Sequence, residues 1–194
     1  MVDPANITNY NLTTKELEEY ILFWVCAAGK NGTVSARLLH NVLTELDAYS
    51  LGPFNVLKKL KPLQLSEILR RNGIGCYNQK AKTILELASS NIDLKTCTAE
   101  ELETIYGIGM KTSRCFIIHS RKNSNYAGLD THMLKNLRAN NITDVPVSTP
   151  TNKKLYKQLE LEVLRLANEN DLLPANYDLM IWNKYSIKPL TNKI

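Results

Sequence analysis

The amino-acid sequence predicts an all-α protein. Three observations carry that expectation. Apolar residues recur at helical spacing along most of the chain, as in Leu17, Tyr20, Ile21, Trp24 and Val25. Breakers such as Gly52-Pro53, Lys61-Pro62 and Asn72-Gly73 cut these stretches into helix-sized pieces. No segment reads clearly as a strand. At 194 residues the chain forms one compact unit, or two small lobes sharing a core, and a hydrophobic content of 44% is enough for a sizeable core.

Residues 1–13 are polar and turn-prone, and read as a loosely attached arm. Thr14 can cap a helix starting at Lys15, with Glu16, Glu18 and Glu19 suited to its positive end. That helix ends around Ala28-Gly29, and Gly29-Lys30-Asn31-Gly32 forms a loop. Thr33 or Ser35 opens the next helix, with Val34, Leu38, Leu39, Val42, Leu43 and Leu46. A short helix over 54–60 and another over 63–71 lie between the breakers. Cys76 to Ser89 is amphipathic, with Ala81, Ile84, Leu85 and Ala88 on one side and Lys80 and Lys82 near its start. Thr98-Ala99-Glu100-Glu101 is a capping box. Helices are also expected over 153–168, and over 175–185 after Pro174.

The most informative stretch runs from Glu101 to Lys135. Leu102 and Ile105 precede Gly107-Ile108-Gly109, and Cys115 and Ile118 follow it, which reads as helix, short turn, helix. Glycines one residue apart permit positive φ and a close approach of another backbone. The first amides of the second helix lack internal partners, so Gly107, Ile108, Gly109 and Met110 frame an anion site. A DNA phosphate is a natural occupant, although the same glycines also suit an ordinary helix corner. Lys111 sits in the first helical turn, where a cation opposes the helix dipole. Such local conflict is expected at functional positions, and a partly desolvated lysine can act as a nucleophile. A solvated surface lysine is the plain alternative. Asp130 precedes an apolar-periodic segment and suits an N-cap. His132, two residues on, suits a structural hydrogen bond.

Together the pattern LxxIxGIGxKTS and the later LDTH resemble the helix-hairpin-helix DNA glycosylases of the endonuclease III superfamily. A second segment, Ile74-Gly75-Cys76-Tyr77-Asn78-Gln79-Lys80-Ala81-Lys82-Thr83-Ile84, is similar to that superfamily's IGxYNxKAxxI motif. The terminal YDLMIW resembles the last helix of cluster-free, archaeal-type 8-oxoguanine glycosylases. The resemblance implies a two-lobed helix-hairpin-helix glycosylase fold. One lobe would be a helical barrel over 14–125, with the hairpin at about 98–121. The other would combine 1–13 with 126–194. It also implies a bifunctional DNA glycosylase/AP lyase acting on a damaged, oxidised base. Lys111 would displace the base, and Asp130 would steady the charge developing on the sugar. Monofunctional members lack the lysine. Lys30 and Asn31 fall on the loop that fills the gap left by a flipped base, and Lys80 joins them as a DNA contact. His132, Trp182 and Tyr177 are candidates for the base pocket, where the two aromatics either stack on the base or pack in the core. A monofunctional glycosylase, a glycosylase for an unusual modified base and a non-catalytic DNA-binding module stay open.

Composition fits a nucleic-acid partner. From Lys58 to Arg138 there are 14 Lys and Arg against 7 Asp and Glu, so the basic excess is concentrated there. The four cysteines, Cys26, Cys76, Cys97 and Cys115, are widely spaced without a CxxC pair, so neither a zinc site nor an iron–sulfur cluster is expected. This departs from endonuclease III itself, whose resemblance implies a cysteine-ligated cluster near the C-terminus. No basic, apolar leader opens the chain, and Tyr20 to Ala28 is too short to span a membrane. The expected protein is an intracellular monomer without cofactor, bound to double-stranded DNA carrying a damaged base.

Overall fold

The computed structural model describes residues 1–28 and 30–185; Gly29, expected in the first loop, lies outside them. Among the described residues every regular element is helical. Helix α1 (Thr14–Ala27) begins one residue earlier than the sequence suggests. Thr13 is its N-cap, and Glu16 reaches back to the Thr13 amide at 2.8 Å in a full capping box. The apolar residues of α1 are buried almost all round, because α2 (Gly32–Glu45), α4 (Pro53–Leu57), α6 (Tyr77–Ser89) and α8 (Met110–Ser120) all pack against it. Asn31 caps α2, accepting from the Val34 amide at 3.1 Å, so that helix starts before either expected position.

A one-turn helix α3 (Ala48–Leu51) was not foreseen. It precedes α4, whose Phe54 amide is satisfied by the Glu18 carboxylate at 3.0 Å. Proline occupies the first turn of α5 (Pro62–Arg71), where its missing N–H costs nothing. The expected capping box of Thr98 and Glu101 starts α7 (Ala99–Leu102), a single turn that leads through the glycine corner into α8. Asp130 caps α9 (Thr131–Ala139), and Asn152 caps α10 (Lys153–Glu169). The chain continues through α11 (Pro174–Tyr185), which packs on α8, α9 and α10.

Buried apolar side chains form two clusters. One runs from Ile7 to Ile117 and the other from Ala127 to Ile181. The N-terminal arm departs from expectation: it is pinned down, and it packs with the first cluster. Ile7 is buried, its carbonyl accepts from the Tyr20 hydroxyl at 2.6 Å, and the Asn9 amide donates to the His119 carbonyl at 2.9 Å. A polar composition hid this, because one anchoring bond comes from the next helix, α1, and the other from α8, far along the chain.

One buried ion network joins the two clusters. Arg114 on α8 is 1% exposed. Its Nε donates to Glu160 on α10 at 2.9 Å, its Nη1 pairs with Glu103, and its plane lies 4.9 Å from the Tyr156 ring centroid. The same Glu160 oxygen accepts from the Ala127 amide at 2.9 Å. Removing one partner from such a network strands the others without water. Arg114→Met is therefore expected to destabilise the fold by about 3–5 kcal/mol, measurable as a fall in the denaturation midpoint. No helix among the described residues is long and apolar enough to cross a membrane.

Candidate active site

The site begins at the α7–α8 corner. Gly107 has φ +80°, a left-handed conformation that side chains disfavour, and a Cβ there would sit 2.4 Å from Thr83 Oγ1. Gly109 differs: its φ of −100° suits any residue, and a Cβ would meet nothing within 4 Å. No side chain caps α8 at Gly109, so the open helix start faces space that another molecule can fill. Two variants separate these roles. Gly107→Ala is expected to cost at least about 1–2 kcal/mol of stability from the left-handed strain alone. Gly109→Leu is expected to keep the wild-type melting temperature and weaken duplex DNA binding roughly tenfold, about 1.4 kcal/mol.

Lys111 follows in the first turn of α8. It lines an open groove with Ile108, Gly109, Thr149, Pro150 and Lys153, and it also lines a more enclosed cavity bounded by α1, α8 and α11. That cavity is walled by Phe23, Trp24 and Ala27 of α1, by Cys115 and His119 of α8, by Asp130, and by Asp178 and Trp182 of α11. Lys111, Cys115 and His119 are spaced by four, which places them along one face of the helix. Lys111 and Asp130 therefore open into one space.

The segment before Asp130 is held from several sides. The Tyr156 hydroxyl accepts from the Leu129 amide at 3.0 Å and donates to the Ala127 carbonyl at 3.1 Å. Thr149 donates to the Leu129 carbonyl at 2.7 Å. Gly128 lies so close to α8 that a Cβ would be 2.3 Å from Cys115 Sγ. Asp130 itself accepts from the Met133 amide at 2.8 Å, so its carboxylate is fixed as an N-cap while lining the cavity. Burial, followed by the Asp178 carboxylate, holds the Asp130 carboxyl above its usual range. The Met133 amide, Lys111 and His132 oppose that rise. Burial and Asp178 likewise push the Cys115 thiol up.

The remaining predicted residues divide. Lys30 is exposed and lines the cavity, and Asn31 is exposed while capping α2. Trp182 lines the cavity, and His132 meets its ring edge-on with centroids 6.0 Å apart. Lys80 is a correction. It is 8% exposed, and its ammonium donates to the Cys26 carbonyl at 2.8 Å, satisfying the negative end of α1. That bond braces the α1–α2 corner instead of reaching DNA. Tyr177 is a second correction. It is buried in the second cluster, and its hydroxyl accepts from Asn136 at 2.9 Å, so it does not face the cavity.

Sequence reasoning missed Trp24, Cys115, His119 and Asp178 in the cavity wall. Spacing offered a signal for three of them. Cys115 and His119 continue the Lys111 line, and Asp178 precedes Trp182 by one helical step. Among the described residues no group of three His, Cys, Asp or Glu side chains is placed to hold a metal.

The fold and this placement can be set beside known proteins. No curated protein sequence matches the chain. The 8-oxoguanine glycosylase/lyase of Methanocaldococcus jannaschii, solved in complex with a 15mer DNA containing 8-oxoguanine, is similar in fold. Its TM-score is 0.68 at 21% identity, over 93% of this chain and 86% of that one. The 8-oxoguanine DNA glycosylase of Thermotoga maritima is also similar, with a TM-score of 0.72 at 23% identity, over 91% of this chain and 83% of that one. The Ogg-HhH profile, described as 8-oxoguanine DNA glycosylase, matches residues 41–172 and so takes in the hairpin, Lys111 and Asp130. A match over more than half of the sequence means that the chain belongs to the 8-oxoguanine DNA glycosylase family.

Proposed function

We propose that this chain is a bifunctional DNA glycosylase/AP lyase that removes 8-oxoguanine from duplex DNA, working as a monomer inside the cell. What chiefly supports the reading is the double placement of Lys111, which lines both the surface groove beside the hairpin and the cavity that holds Asp130. A DNA strand tracking the groove would set its phosphates at the open start of α8. A nucleotide swung out of the duplex would then enter the cavity.

Chemically, the Lys111 amine attacks C1′ of the deoxyribose, and the bond from C1′ to the base breaks with its electron pair leaving on the base, which takes up a proton. Asp130 stands ionised beside the positive charge that develops on the sugar, and a fixed carboxylate in a site shielded from water stabilises that charge strongly. Ring opening gives a protonated Schiff base between Lys111 and C1′. Loss of a proton from C2′ then expels the 3′ phosphate, which nicks the strand. Water later releases the lysine.

The test is an incubation with duplexes carrying 8-oxoguanine, other damaged bases or none, scoring base release and strand nicking separately, with and without borohydride. The reading expects both products from the 8-oxoguanine duplex and a covalent adduct with borohydride. Base release without a nick or an adduct would make the enzyme monofunctional. Binding without either product would leave a DNA-binding module.

A further inference from the structure

Helix α8 carries a histidine that the reaction above does not use. His119 is 0% exposed, yet it is part of the cavity wall. Its Nε2 lies 3.2 Å from Asp178 Oδ2 on α11, and its Nδ1 lies 2.8 Å from Thr8 Oγ1 on the N-terminal arm. A carboxylate only accepts, so Nε2 carries the proton of that bond. The Trp24 ring stacks on the imidazole with centroids 5.6 Å apart and planes 11° from parallel. The His119 carbonyl takes the Asn9 amide, which ties the arm to the same helix turn. Pro4 and Ile7 of that arm are themselves part of the cavity wall. One buried ring thus fastens three distant segments around the space where a base would sit.

We propose that His119 is a positioning residue that aims the Asp178 carboxylate at the nucleobase in this cavity, with Thr8 and Trp24 holding the imidazole. The inference rests on the glycosylase reading above. An aspartate has two side-chain torsions, and unheld it samples several rotamers. Held through Oδ2, it presents a fixed acceptor to N–H donors on the edge of the base. A base-recognition role predicts that the relay matters when a base is present and matters much less when the site is already abasic.

The experiment compares single-turnover base release from a duplex containing 8-oxoguanine with borohydride trapping on a duplex containing an abasic site. Thr8→Val and His119→Phe are expected to lower base release at least about tenfold more than trapping. This corresponds to about 1.4 kcal/mol of selective loss. His119→Gln, whose amide N–H2 can replace the ring donor to Asp178, is expected to restore most of the difference. In an Asp178→Ala background Thr8→Val is expected to cost nothing further, because coupled residues are not additive. Equal loss of both reactions, or fully additive losses in the double variant, would overturn the positioning role. A wild-type chain active on both duplexes, with variants that match it, would overturn this inference alone. Wild-type protein inert on both would overturn the glycosylase reading, and this inference with it.

Discussion

Lys111→Gln is expected to abolish strand nicking and the borohydride adduct while duplex binding persists. The amine is the only group in the proposed chemistry that bonds to the sugar, so no partial activity of the lyase step should survive. Glutamine leaves a polar side chain, one atom shorter, at a half-buried helix start, and it relieves a cation from the positive end of α8. The folded state should therefore not suffer. Loss of trapping with an unchanged melting temperature and preserved binding is the expected set. A variant that still traps would remove Lys111 from the mechanism.

The second large effect concerns Asp130→Asn. Asparagine caps helices as well as aspartate does, so the bond from the Met133 amide can persist. What vanishes is the negative charge that the proposed chemistry sets beside the sugar. Losing one preorganised electrostatic partner typically costs about 10²–10³-fold in rate, and base release should fall by that order. Stability should move the other way. The Asp130 carboxyl is held above its usual value chiefly by burial, so the folded state binds its proton more tightly than the unfolded chain. As pH rises past the unfolded value of about 3.9, the unfolded chain ionises first, and the fold loses stability until the raised folded value is passed. Above that window the cost is fully present, and the neutral variant escapes it. At neutral pH Asp130→Asn should therefore melt no lower than wild type while releasing base far more slowly. A variant as fast as wild type would reduce Asp130 to a helix cap. One that is slow and much less stable would mean the fold had been damaged instead.

That these two positions line one cavity was readable because their signals are local. A glycine corner, a lysine two residues beyond it and an aspartate ahead of an apolar-periodic helix can all be seen within 35 residues of chain. The cavity wall was legible only in part, and Lys80 and Tyr177 show why. Both were judged by residue type, as a cation for phosphate and an aromatic for stacking. Their spacing points inward: Lys80 shares a helix face with Ile84, Leu87 and Ala88, and Tyr177 shares one with Ile181. Asp178 and Trp182, one residue further round the helix, face the cavity. Arg114 and Glu160 lie beyond such reasoning, because their pairing joins α8 to α10 across 46 positions and nothing local announces it. The same holds for the arm, whose anchor at His119 is 111 positions from Thr8.

The central claim, that Lys111 and Asp130 act together on a flipped nucleotide in one cavity, has a direct test. Wild-type protein is trapped on the 8-oxoguanine duplex with borohydride, digested, and the peptide carrying the sugar remnant is sequenced. The proposed chemistry predicts a single modified residue, Lys111. A remnant on any other lysine or on the N-terminal amine, or base release with no remnant at all, would contradict it.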